Sequence, residues 1–325
     1  MSHPYLEHLE AYSERPEDWD SLPEKDKRVH PYGKYLEALE RSYLRAKADR
    51  AVQASLNPSG ALRLVDEAEV LSRPAPVWLV DGLIQENGIT ELAGPPGIGK
   101  TFLCIALARA VATGRHFFGR PTQYRKVLYV AGEGTAAFGE RITAWNDANH
   151  TTVQPGQMTY IEEGVNLSDD DSVNTLCEWI SVKGFGLIVL DTFSQLSGIA
   201  DENSAAQTAL VFRNIKKLRD ASPGSAVLVV HHMNAGGTKA RGLTVHLGNV
   251  DLLAVARGTS QSFSVSTLHE HGAKIKDGKA EEWHGFSLAP VSNSCVVVNN
   301  GGKRTPGKYE GPVLQLLADG SVKTS

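Results

Sequence analysis

Gly94-Pro95-Pro96-Gly97-Ile98-Gly99-Lys100-Thr101 fits the pattern G-x-x-x-x-G-K-[ST] at every fixed position. The apolar run Ile89 to Ala93 precedes it, and Lys100 to Thr113, a stretch of good helix formers closed by Gly114, follows. Strand, glycine-rich turn and helix in that order make a phosphate cradle. The glycines let the backbone curl so that its N–H groups point inward, and the helix N-terminus adds partial positive charge. In this pattern Lys100 reaches the β- and γ-phosphates and the Thr101 hydroxyl coordinates Mg²⁺. Gly94, Pro95, Pro96, Gly97, Ile98, Gly99, Lys100, Thr101 and Phe102 are therefore expected to line a site for ATP and Mg²⁺.

Working outward, three further runs are apolar throughout: Val127 to Ala131, Leu187 to Leu190 and Ala226 to Val230. Strands apolar on both faces belong in a parallel sheet covered by helices, and their alternation with helix-like stretches predicts an α/β fold. All strand C-termini then open on one edge, which brings the residues just after each strand to the phosphate site. Asp191 ends the second run as a metal-holding acid would. Glu133 follows the first by two residues, between Gly132 and Gly134, and is a candidate general base; a solvated loop carboxylate is the plainer reading. His231 and His232 close the third, predicted one strand further across the same edge. Neighbouring strand residues point to opposite faces, so one of them can face the site. His232 is the preferred sensor of the γ-phosphate.

Elsewhere the signals are structural. Ser204-Ala205-Ala206-Gln207 has the capping-box form, and Val211, Ile215 and Leu218 make a buried stripe behind it. Arg213, Lys216, Lys217 and Arg219 on that helix read as a solvated face more than a basic patch. Residues 1–75 are polar, with an amphipathic helix predicted over Tyr35 to Leu56 on the spacing of Leu36, Leu39, Tyr43 and Ala46. Residues 76–300 read as the main domain, and 301–325 as a loose tail with a short helix. His269-Glu270-His271 would place two imidazoles on one strand face, but no third ligand has compatible spacing. The three cysteines lack paired zinc spacing and suggest reduced thiols in a cytoplasm. With a formal net charge of −4 over 325 residues, a strongly basic coat for nucleic acid is disfavoured. There is neither a signal-peptide stretch nor an apolar run of membrane-spanning length, so no membrane partner is expected.

These elements in this order resemble the RecA-like helicase ATPases of the RepA and DnaB type found in phage and plasmid replication. Trp78-Leu79-Val80-Asp81-Gly82-Leu83 is similar to that family's approach to the P-loop, Val130-Ala131-Gly132-Glu133-Gly134 to its strand with the catalytic Glu, and Asp191-Thr192-Phe193 to its Walker B strand. Val230-His231-His232 is similar to its polar sensor strand. The resemblance covers roughly residues 76 to 300. It implies a RecA-like core of largely parallel twisted sheet with helices on both faces, preceded here by a short helical N-terminal segment. It also implies a homo-oligomer, a hexameric ring foremost, with ATP between subunits. Lys274-Ile275-Lys276 looks like the family's K-x-K/R element that reaches a neighbour's ATP site, although two lysines near a DG turn are commonly a solvated hairpin end. Nucleic-acid loops are placed by the resemblance after Asp191 and after His232. The second carries Lys239 and Arg241, which would track phosphates of single-stranded DNA. An ATP-driven helicase or translocase, with replication partners, is the function so implied. A RecA/RadA-like recombination ATPase and a nucleotide-switched regulatory protein are the alternatives. No DnaB-like primase-binding domain is recognisable in residues 1–75.

Overall fold

The computed structural model of the chain describes residues 16, 18–38, 41, 65–72, 75–162, 164–233, 243–301 and 304–306. Its centre is a twisted sheet built from β3 (Ile89–Gly94), β4 (Val127–Ala131), β5 (Met158–Ile161), β6 (Leu187–Asp191), β7 (Ala226–His232) and β8 (Leu252–Thr259). These six run parallel in the order β8-β3-β7-β6-β4-β5. Two short strands, β1 (Trp78–Val80) and β2 (Ile84–Gln85), pair antiparallel just before β3.

Helices cover both faces because the strand side chains alternate between two apolar cores. On one face Val127, Tyr129, Leu187, Val189, Leu228 and Val230 pack under α4 (Lys100–Thr113) and α5 (Phe138–Asn149). On the other, Leu128, Val130, Ile188, Leu190, Val227 and Val229 meet α6 (Asp170–Lys183) and α8 (Ala205–Asp220), with the one-turn α7 (Phe193–Leu196) between. α8 starts where its capping box predicts: the Ser204 side chain accepts a hydrogen bond from the Gln207 backbone N–H. Val211, Ile215 and Leu218 are fully buried. Its cations are engaged singly, Lys216 with Asn249 and Lys217 with Asp170, which suits a solvated face.

Three expectations need correction. The His231-His232 strand does not lie beyond the Asp191 strand as seen from the P-loop; β7 pairs with β6 on its P-loop side, between β3 and β6. Second, the sheet continues past β8 through antiparallel strands that the reading of a parallel core did not foresee. These are β9 (Ser262–Ser266), β11 (Glu281–Val291) and β12 (Ser294–Asn299), whose inner face packs on α4 and α5. Arg304–Pro306, predicted loose, forms β13 against the start of β11. Third, the N-terminal helix starts earlier than Tyr35. Residues 31–38 are helical, with Tyr35 and Ala38 buried and Leu36 39% exposed. Among the described residues Tyr35 rather than Leu36 faces inward, because Tyr35 is anchored: its ring stacks on Tyr32, and its hydroxyl accepts a hydrogen bond from Lys183 at 2.8 Å. Leu39, Tyr43 and Ala46 lie outside the described residues. Before this helix comes α1 (Glu24–Val29), and α3 (Glu67–Leu71) precedes β1; the 31–38 helix is α2.

Candidate nucleotide site

The P-loop leaves β3 at Gly94 and enters α4 at Lys100. Gly97 and Gly99 sit at φ +74° and +110°, backbone that side-chain-bearing residues rarely adopt. Gly94 is tight for a second reason: a Cβ there would lie 3.0 Å from the Ala256 Cβ on β8. Lys100 folds back over the loop. Its Nζ donates to the carbonyls of Gly94 and Pro95, both at 2.9 Å, and lies 3.2 Å from Nδ1 of His232. Burial lowers the Lys100 pKa from its usual 10.5 to about 8, against the opposing pull of Asp191, Cys104 and Glu133.

Asp191 is buried at the end of β6, two strands from the P-loop strand, and its carboxyl is pushed up by desolvation. Tyr129 on β4 donates to Oδ2 at 2.7 Å, and the nearby Thr101 hydroxyl, like this phenol, pulls the carboxyl pKa down. Oδ1 is buried with no hydrogen-bond partner in the structure. A carboxylate oxygen left unpaired beside a P-loop threonine suits the donor set of a Mg²⁺ ion, which binds through one or two carboxylates and keeps several waters.

Glu133 emerges beyond β4, where Gly132 lets the backbone pass Gln195 and Leu196 closely. Its Oε1 lies 3.6 Å from Nε2 of His232. Lys100, His232 and Glu133 therefore form one line of groups across the mouth of the P-loop. Burial and the neighbouring Lys100 lower the His232 pKa, so the ring is neutral at pH 7. With Nδ1 accepting from the lysine, the proton sits on Nε2 and points at Glu133. Gly134 is left-handed at φ +67°, and Arg141 packs beside it with its guanidinium 5.3 Å from the Phe102 ring centroid. Neither Tyr129 nor Arg141 was singled out in the sequence; both are neighbours made by sheet order and helix docking.

His231 points to the opposite face, as the strand period requires. There it stacks on His246 of α9 (Leu243–Asn249) at 4.4 Å and 15°, and His246 Nδ1 lies 2.8 Å from Glu91 Oε2. The three are fully buried and would make a plausible metal donor set by composition. Ring nitrogens bind metals in the plane of the ring, however, and two nearly parallel rings aim their lone pairs side by side. We read the cluster as a buried hydrogen-bonded pair with a stacked neighbour, tying the P-loop strand to α9.

Lys274 and Lys276 are not brought to this chain's own P-loop. They sit on and just after β10 (Lys274–Ile275), which pairs with the first residues of β8 at the opposite, N-terminal edge of the sheet. The β8 partners of β10 stand beside Thr90 and Glu91, roughly 10–13 Å along β3 from Gly94 at ~3.3 Å per residue. Lys274 donates to the Leu247 and Val250 carbonyls at the end of α9, a favourable place for a cation. Lys276 pairs with Asp251 at 2.6 Å and is half exposed. The His269–His271 segment is a 3-10 turn rather than a strand, and His271 bonds Ser266. Lys239 and Arg241 lie outside the described residues. No helix among the described residues is long and apolar enough to cross a membrane.

Comparison with known proteins agrees with this geometry. The AAA_25 family, an AAA domain, matches residues 56–238, more than half of the chain. Over 287 residues the chain is 25% identical to the DNA repair protein RadA of Mycobacterium tuberculosis, covering 80% of this chain and 55% of RadA. Over 114 residues it is 27% identical to the DNA repair and recombination protein RadB of Methanococcus maripaludis, covering 35% of this chain and 46% of RadB. The chain thus spans about half the length of the curated relatives it matches. The protein belongs to the AAA_25 family and has a RecA-like P-loop ATPase core.

Proposed function

We propose that the protein binds ATP with Mg²⁺ at Gly94 to Phe102 and couples its hydrolysis to work on single-stranded DNA. The observation that carries the ATPase reading is the convergence of Lys100, Thr101, Asp191, His232 and Glu133 from four strands onto one sheet edge. Bound Mg²⁺ would neutralise charge on the transferring phosphoryl group. Thr101 and Asp191 would hold it, Lys100 would leave its carbonyl partners for the β- and γ-phosphates, and Glu133 would orient and deprotonate the attacking water. His232, bonded at one nitrogen and facing Glu133 with the other, stands where a change in the γ-phosphate would reach β7. The segment of Lys239 and Arg241 follows that strand directly, which supports its role as the DNA contact.

The DNA reading is supported by the repair and recombination proteins among the relatives, and we favour a recombination or repair ATPase acting on single strands. A replicative helicase of the RepA or DnaB type, working as a hexameric ring with replication partners, is the second reading. It rests on the likeness of the P-loop approach and of Lys274-Ile275-Lys276. Since Lys274 caps α9, Lys276 is the stronger of the two as a cation for a neighbour's site. The test is steady-state ATP hydrolysis with and without single-stranded DNA at low salt. Stimulation of at least several-fold is expected; slow turnover indifferent to DNA would replace the motor with a nucleotide-regulated switch. Filaments rather than closed rings on DNA, seen by electron microscopy, would separate the first reading from the second.

The Lys100 ammonium supplies a pH prediction. Its folded pKa of about 8 lies below its unfolded value, so the unfolded chain binds more protons between about 8 and 10.5, and stability rises with pH through that window. Triphosphate favours the charged lysine. Nucleotide binding at about pH 9 should therefore take up a proton, and affinity should fall as pH rises above about 8. Calorimetry in buffers of different ionisation enthalpy checks this; identical apparent enthalpies would contradict it.

A further inference from the structure

We propose that Tyr129 is a positioning residue for the metal site: its hydroxyl holds one oxygen of Asp191 so that the other faces the ion. The proposal rests on the ATPase reading above and adds to it a residue that the P-loop pattern does not contain.

The geometry begins with sheet register. Ala131 on β4 pairs with Asp191 on β6, and Tyr129 pairs with Val189. Tyr129 and Asp191 thus share the face under α4 and stand diagonally across the strand pair, a separation that a long aromatic side chain spans. The Tyr129 ring is held by Phe138 at 5.1 Å, edge to face, and by Tyr160 at 6.2 Å, and the residue is fully buried. Its phenol therefore has one fixed direction. It donates to Oδ2 at 2.7 Å, and Oδ1 is left without a partner.

A buried tyrosine needs an acceptor wherever it is, so the hydrogen bond alone does not establish a role. The choice of acceptor does. Satisfying a phenol requires only a carbonyl, whereas this one bonds the single buried carboxylate next to Thr101. Burial pushes the Asp191 carboxyl up, while the bonds from Tyr129 and Thr101 pull it down. The phenol itself is raised far above its ordinary range by burial and remains a donor at any working pH. Tyr129 therefore fixes which oxygen of Asp191 is presented to a metal, as outer partners of metal ligands do.

The test is Tyr129→Phe in the full chain, which keeps the ring and removes one oxygen. Mn²⁺ binding to the ADP complex is read by electron paramagnetic resonance, and the Mg²⁺ dependence of hydrolysis is measured alongside. Weaker Mn²⁺ binding and a rise in half-saturating Mg²⁺, each on the order of tenfold, are expected. ADP affinity without metal should be unchanged, and turnover at saturating Mg²⁺ largely restored. Unchanged metal affinity, with only a lowered melting temperature, would reduce Tyr129 to a packing residue and overturn the proposal. Wild-type protein that binds no Mn²⁺ with ADP would overturn the ATPase reading itself, a distinguishable result.

Discussion

Lys100→Ala is expected to abolish tight ATP binding and to lower turnover by about 10²–10³-fold, the range for removing one preorganised charge-stabilising donor. Without nucleotide, the Lys100 ammonium is spent on the carbonyls of Gly94 and Pro95 and on His232. Its lowered pKa shows that burying this charge opposes folding at neutral pH. Removing it forfeits hydrogen bonds worth about 1 kcal/mol each and relieves that burial. The variant should therefore stay folded, with a melting temperature near that of the wild type, while failing to bind a fluorescent ATP analogue. This combination separates a residue kept for ligand from one kept for structure. Near-normal turnover in a folded Lys100→Ala protein would sink the P-loop assignment.

Glu133→Gln should give the opposite split: ATP is bound with near wild-type affinity but hydrolysed roughly 10²–10⁴-fold more slowly, the usual contribution of a general base. The substitution keeps the shape of a 43%-exposed side chain and replaces the acceptor that faces His232. Folding should be little affected, since a half-exposed pairing 3.6 Å long contributes little to stability. Single-turnover hydrolysis and equilibrium ATP binding, measured together, check the split. An unchanged kcat would remove Glu133 as base and leave His232, in contact with Lys100, as the next group to examine.

Much of the nucleotide site is legible in the sequence because its parts are local. Gly97 and Gly99 are needed for backbone that only glycine adopts readily, and the turn, helix start and lysine follow within a few residues. Asp191, Glu133 and His232 are legible for a related reason. Each closes or follows a continuous apolar run, and parallel strands deliver their C-terminal residues to one edge. Even the choice between His231 and His232 follows from strand period once the P-loop face is fixed. The Ser204 cap is local too, a side chain bonding a backbone three residues on.

What the sequence by itself determined, then, is every feature that depends on backbone conformation or on periodicity within one segment: the P-loop, the strands and helices that frame it, and the edge on which their polar ends gather. Only the tertiary structure decided strand order, which places β7 between β3 and β6 and so sets His232 against Lys100. It likewise joined Tyr129 to Asp191 across 62 positions and Glu91 to His246 across 155, assigned Lys274 to the end of α9, and extended the sheet through β9, β11 and β12. Those contacts depend on how separate segments pack, and packing energy is set by surfaces that meet only after the chain has folded. A pattern confined to one segment carries no record of which distant segment will lie beside it.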